Sequence, residues 1–158
     1  MNSKKSNSVS LTSLAVVISA AVGAVVGSLA VQSMFKSSSN GNVDAVLQQT
    51  AEVLNKQLPM TIDKHTRLDT TVALAGGKFK YQYTVFSTDE LPEAAEFEKI
   101  MKPRLINIYK TSDDMKQLRD VNATLVYSYF LEDGTSYASF EILADDSSSG
   151  VAKDTSDP

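Results

Sequence analysis

The sequence predicts an α+β chain: an N-terminal transmembrane helix, then a small domain whose four-stranded antiparallel sheet, made of two hairpins, is packed by helices on one face. Three observations carry that prediction. Leu11 to Phe35 is a run of 25 residues without a charge. Two turn signals, Gly76-Gly77 and Asp133-Gly134, each separate a pair of segments rich in β-branched and aromatic residues. Before and between those pairs, apolar residues recur at three- and four-residue spacing, the pattern of amphipathic helices.

Residues 1–10, MNSKKSNSVS, form a short polar, basic head. About 20 apolar residues in a helix cross a bilayer's hydrocarbon core, so residues 11–35 are long enough to span it. Lys4 and Lys5 precede the run and only Lys36 follows closely. Positive charge is retained on the cytoplasmic side, which predicts a single-pass inner-membrane protein with a cytoplasmic N-terminus. The folded domain is then periplasmic or extracellular. The competing reading is a cleaved export signal, since Ser28-Leu29-Ala30 offers small residues for cleavage after Ala30. A signal's apolar core is about 7–15 residues long, shorter than this run, so an uncleaved signal-anchor is the preferred reading. Ala15, Ser19, Gly23 and Gly27 share one helix face, and Gly23 and Gly27 form a GxxxG pattern through which two membrane helices can pack and self-associate. Glycine and alanine are also simply common in such helices. Residues 36–41 are a short polar linker.

Of 15 Lys and Arg, three lie within the first 36 residues; the other 12 face 19 Asp and Glu, leaving the exported part at −7. Such a surface repels phosphate backbones, and nucleic acid is not an expected partner. The chain has no cysteine and a single histidine. Disulfides, thiolate nucleophiles, cysteine zinc sites and multi-histidine metal sites are therefore excluded.

The exported domain is placed at residues 42–143. Asn42 is a suitable cap for a helix carrying Val43, Val46, Leu47, Ala51, Leu54 and Leu58 on one face, stopped by Pro59. Met60 to Ala75 reads as an extended arm, turning at Gly76-Gly77 into a strand that alternates Phe79, Tyr81, Tyr83 and Val85 against Lys78, Lys80, Gln82 and Thr84. After a turn around Asp89, a helix is predicted from Pro92 to Lys110, with Ala94, Phe97, Met101, Leu105 and Ile108 inward and Pro103 kinking or dividing it. Ser112 is expected to cap a short helix over Asp113 to Asp120. Thr124 to Leu131 and Ser136 to Leu143 make the second hairpin. Residues 144–158, acidic and poor in apolar side chains, read as a disordered tail.

The run Asn55-Lys56-Gln57-Leu58-Pro59-Met60, then Asp63 and Thr66-Arg67-Leu68-Asp69, resembles small exported bacterial envelope proteins of unassigned function. The likeness continues through the aromatic strand Tyr81 to Val85, Pro103-Arg104-Leu105-Ile106-Asn107, Thr111-Ser112 and Met115-Lys116 to the closing hairpin. In such proteins the resemblance implies a cysteine just before the Thr-Ser pair and another after the last strand; Lys110 stands at the first place here. The resemblance implies the fold and an exported address, and no activity.

The one dense polar constellation is Asp63, His65, Arg67 and Asp69. On an extended strand, two-residue spacing sets all four on one face. Asp63 and His65 are candidate metal ligands, and Arg67 a carboxylate grip; the ordinary alternative is a solvated face with an Asp–Arg pair. The acidic cluster Asp89, Glu90, Glu93, Glu96 and Glu98 opens a helix, where acids complement the dipole, and is not read as catalytic. No nucleophile elbow, phosphate loop or dinucleotide fingerprint occurs, and no cofactor is implied. Tyr81, Tyr83, Tyr127 and Tyr129 concentrate aromatics in strands. On a sheet face left bare by the helices they would make a docking surface, and otherwise they are core. These features favour a noncatalytic, membrane-anchored extracytoplasmic module that binds another envelope protein or a ligand. The alternatives are a membrane-tethered enzyme centred on His65 with Asp63 or Asp69, and a small apolar-ligand carrier.

Overall fold

A computed structural model of the chain describes residues 43–86 and 91–147. The expectations for the head, the apolar run with Gly23 and Gly27, the linker, the Asn42 cap, the turn at Asp89 and the tail from residue 148 lie outside the described residues. Among those described, no helix is long and apolar enough to cross a membrane.

Leu47, Thr50, Ala51 and Leu54 recur at helical spacing and form the buried stripe of α1 (Val43–Asn55). Asp44, in the first turn of α1, accepts a hydrogen bond from the Gly77 backbone N–H at 2.8 Å and so ties the helix to the first hairpin turn. The predicted single arm after Pro59 is in fact two strands, β1 (Met60–Asp63) and β2 (Thr66–Leu74). The reason is local: the Asp63 carboxylate accepts from the His65 backbone N–H at 2.7 Å, an Asx-type turn that folds β1 back on β2. Gly76 and Gly77, at φ of 82° and 73°, then turn the chain into β3 (Lys78–Val85).

Helix α2 (Ala94–Thr111) passes through Pro103 without dividing and buries Phe97, Met101, Leu105 and Tyr109. Ile108, expected inward, is partly buried against the core, and Tyr109 continues the fully buried four-residue stripe and donates its hydroxyl to the Ala123 carbonyl at 2.9 Å. Ser112 starts a 3-10 turn, Asp113–Met115, by accepting from the Asp114 N–H, and α3 (Lys116–Asp120) follows. Strands β4 (Thr124–Leu131) and β5 (Ser136–Ile142) close the fold around Gly134, at φ 83°. The residues just past β5 are not an unstructured tail: Asp145–Ser147 is a 3-10 turn, and Asp146 accepts from the Leu143 N–H at 3.0 Å.

The sheet has five strands in the order β1-β2-β3-β4-β5, not four, and it is mixed, not antiparallel. Its central pair, β3 and β4, is parallel in unbroken register from Lys78↔Thr124 to Val85↔Leu131. The geometry follows from lengths. Helix α2, of 18 residues, is about 27 Å long, and β3, of 8 residues, about 26 Å. One pass of the helix therefore returns the chain to the starting end of β3, and β4 runs the same way. Both long helices lie on one face. Asn55 at the end of α1 bonds to Thr71 of β2, whose strand neighbour is Tyr81, and Phe97 of α2 meets Tyr129 edge-on at 4.9 Å. Of the described residues, no helix covers the opposite face, which carries Arg67, Asp69, Lys78, Lys80, Gln82, Thr84, Ser139 and Glu141.

Candidate partner-binding surface

The predicted constellation is not brought together. Asp63 and His65 sit in the β1–β2 turn, where one Asp63 oxygen is committed to the His65 main chain. Arg67 and Asp69 lie on the open sheet face, paired with each other; Asp69 also accepts from the Thr84 hydroxyl, and the Arg67 guanidinium stacks over the Phe86 ring at 5.2 Å. The premise of one extended strand fails at the turn, and a bulge between Leu68 and Thr70 further breaks the two-residue alternation. Among the described residues, no group of three or more His, Cys, Asp or Glu side chains is arranged to hold a metal ion.

The docking face proposed for Tyr81, Tyr83, Tyr127 and Tyr129 is also corrected, because all four are no more than 1% exposed. They form a ladder across the central strands: Tyr81–Tyr127 at 5.3 Å and Tyr83–Tyr129 at 5.0 Å, both near-parallel. Phe79, Phe97 and Phe140 extend the cluster. Such pairs add about 0.5–1.5 kcal/mol each beyond their burial, so this ladder is the spine of the core. Tyr83, Tyr127 and Tyr129 have buried hydroxyls with no hydrogen-bond partner. Burial raises their pKa values well above 10, with the neighbouring tyrosines adding to the effect. Alternation fixes which side chains share a strand face, and the helices took the aromatic one.

Besides the open sheet face, the flank of α2 is accessible. A groove of about 580 Å³ lies between that helix and the 3-10 turn after β5, lined by Ala95, Glu98, Lys99, Lys102, Pro103, Ile106, Lys110 and Asp146. Ile106 packs on the core and shows its remaining surface to the groove. Lys102 pairs with Glu98 at 3.8 Å; among the described residues, no ion pair engages Lys99 or Lys110. The C-terminal end of α2 is held by Arg119, whose guanidinium donates to the carbonyls of Tyr109 and Ser112, both at 2.6 Å. The sequence reading took no note of this flank. Its signal was there: Lys99, Lys102, Arg104 and Lys110 fall on one helix of an exported part whose net charge is −7.

A family model described as a domain of unknown function, DUF8479, matches residues 42–137, and the chain belongs to that family. No curated protein matches it. Solved structures share its fold. A Pseudomonas aeruginosa protein, provisionally described as secreted, superposes with a TM-score of 0.54 at 15% identity, covering 68% of this chain and 97% of its own. The type II secretion system pilotin of Vibrio cholerae gives 0.52 at 11%, over 66% and 92% of the two chains. That of Vibrio vulnificus gives 0.54 at 8%, over 66% and 91%.

Proposed function

We propose that this member of the DUF8479 family is a noncatalytic envelope module that binds another envelope protein outside the cytoplasm. Residues 11–35 tether it to the inner membrane as a single span, and the α+β domain stands on the outer side. The observation that carries the reading is the fold, which two type II secretion system pilotins share along nearly their whole length. The domain's architecture agrees with it. The polar constellation around His65 is split between a turn and a paired sheet face, and a small-molecule cavity between sheet and helices is filled by the tyrosine ladder. Both favour a scaffold that presents a surface.

The test joins location to partnership. A compartment-sensitive fusion after residue 158 should report an extracytoplasmic C-terminus, with the chain retained in alkali-washed membranes. His65→Ala should leave co-purification of an envelope protein from solubilised membranes unchanged. A cytoplasmic reporter signal, or loss of the biological activity with His65→Ala in a protein that still folds, would overturn the reading.

A further inference from the structure

The α2 flank identifies the chemistry of what docks there. The exported part carries −7, yet Lys99, Lys102 and Lys110 converge on one groove, with Ile106 and Pro103 between them. Lys99 is exposed, and Lys102 and Lys110 are half-buried. A cationic strip on an anionic body selects against the body's own surface and for an oppositely charged partner. We propose that this groove binds an acidic, amphipathic segment of a partner protein, its carboxylates on Lys99, Lys102 and Lys110 and an apolar side chain on Ile106 and Pro103. This rests on the partner-binding function proposed above and names the surface and the partner's chemistry.

A protein segment fits better than an anionic membrane surface. Glu98 and Asp146 line the same groove and would face lipid phosphates, whereas a peptide can answer them with its own N–H groups or a cation. The lining residues lie on one flank of α2, so a segment lying along the helix meets Lys99 and Lys102 first, then Ile106, then Lys110. Ile106, in the middle, supplies the apolar contact around which the charges form a rim.

The test uses the full-length chain in detergent micelles. The probe is a fluorescent helical peptide with glutamates on one face and leucines on the other. Binding should fall at least about tenfold for the triple variant Lys99→Glu, Lys102→Glu, Lys110→Glu, and measurably for the milder set with Gln at the same positions. It should change by less than about twofold for Lys56→Glu, Lys64→Glu, Lys116→Glu, which reverses as much charge elsewhere. Affinity should also drop with added salt. Equal loss in the control set overturns the proposal, as does equal binding of a lysine-for-glutamate peptide. Vesicles of phosphatidylglycerol that bind through the same three lysines and displace the peptide would assign the strip to the membrane instead. If the peptide fails to bind while an envelope protein still co-purifies with the chain, the groove is wrong and the partner-binding function stands.

Discussion

Asn55, the last residue of α1, makes the most local demand on the account. β1 is short and pairs only with Thr66 to Leu68 of β2, so β2 is an edge strand beyond that point. The Asn55 amide takes the place of the missing strand. Its Nδ2 donates to the Thr71 carbonyl at 2.8 Å, and its Oδ1 accepts from the Thr71 N–H at 2.8 Å and from the Thr71 hydroxyl at 3.0 Å. Thr71 is only 2% exposed, so these groups have poor access to water when Asn55 is gone. A net hydrogen bond contributes about 0.5–1.5 kcal/mol, and three of them give about 1.5–4.5 kcal/mol. Asn55 itself is exposed, which lets some water in and places Asn55→Ala near the lower end, about 2 kcal/mol. In urea denaturation of the purified protein that is a midpoint about 1 M lower at an unchanged slope. Asn55→Asp is the sharper variant: it keeps both acceptor bonds but turns a carboxylate oxygen toward the Thr71 carbonyl, and it should be no better than Ala. A loss below about 0.5 kcal/mol for Asn55→Ala, or full stability in Asn55→Asp, would refute the claim that this side chain completes the sheet edge.

Hydroxyl deletions in the core should differ in sign. Tyr83→Phe, Tyr127→Phe and Tyr129→Phe remove unpartnered buried groups and should be neutral or stabilising, whereas Tyr109→Phe loses the bond to Ala123 and should cost about 1 kcal/mol by thermal or chemical unfolding. Burial raises the pKa of every tyrosine in the chain, that of Tyr109 to about 12 despite the nearby Arg119 and that of Tyr137 to about 12. The unfolded phenols titrate near 10, so the folded state holds its protons longer; this stability is complete below pH 10 and is lost as pH rises through about 12 for Tyr109 and Tyr137, and higher still for the ladder tyrosines. Tyrosinate absorbance of the native protein should stay flat through pH 10 and then rise together with the loss of circular dichroism. An early rise in the folded state would show that the ladder is open to water. Arg119→Ala, which frees the Tyr109 and Ser112 carbonyls, should cost about 1–2 kcal/mol, and Arg119→Lys should recover less than half of it.

Much of the domain was legible because its signals are local. The alternation from Lys78 to Val85 reappears as strict in-and-out burial, and Gly76, Gly77 and Gly134 adopt the positive φ their turns require. The stripe of Phe97, Met101 and Leu105 points inward as spacing predicts. What failed was non-local. A hairpin looks the same in sequence wherever it docks, so the parallel β3–β4 seam was visible only once the length of α2 was set against that of the strands. Period two groups Tyr81 with Tyr83 and Tyr127 with Tyr129, but it is silent on which face the helices choose. The Asp63–Asp69 constellation fell to a single Asx turn, a contact that two residues decide and that a strand template overlooks. The α2 lysines were passed over because each, taken alone, is an ordinary exposed charge.

Native mass spectrometry of the full-length chain, purified from gently solubilised membranes, tests the central claim most directly. The account predicts a dominant species whose mass is this chain plus one envelope protein, dissociating as salt is raised. A chain that emerges alone from intact membranes at every salt concentration would contradict it.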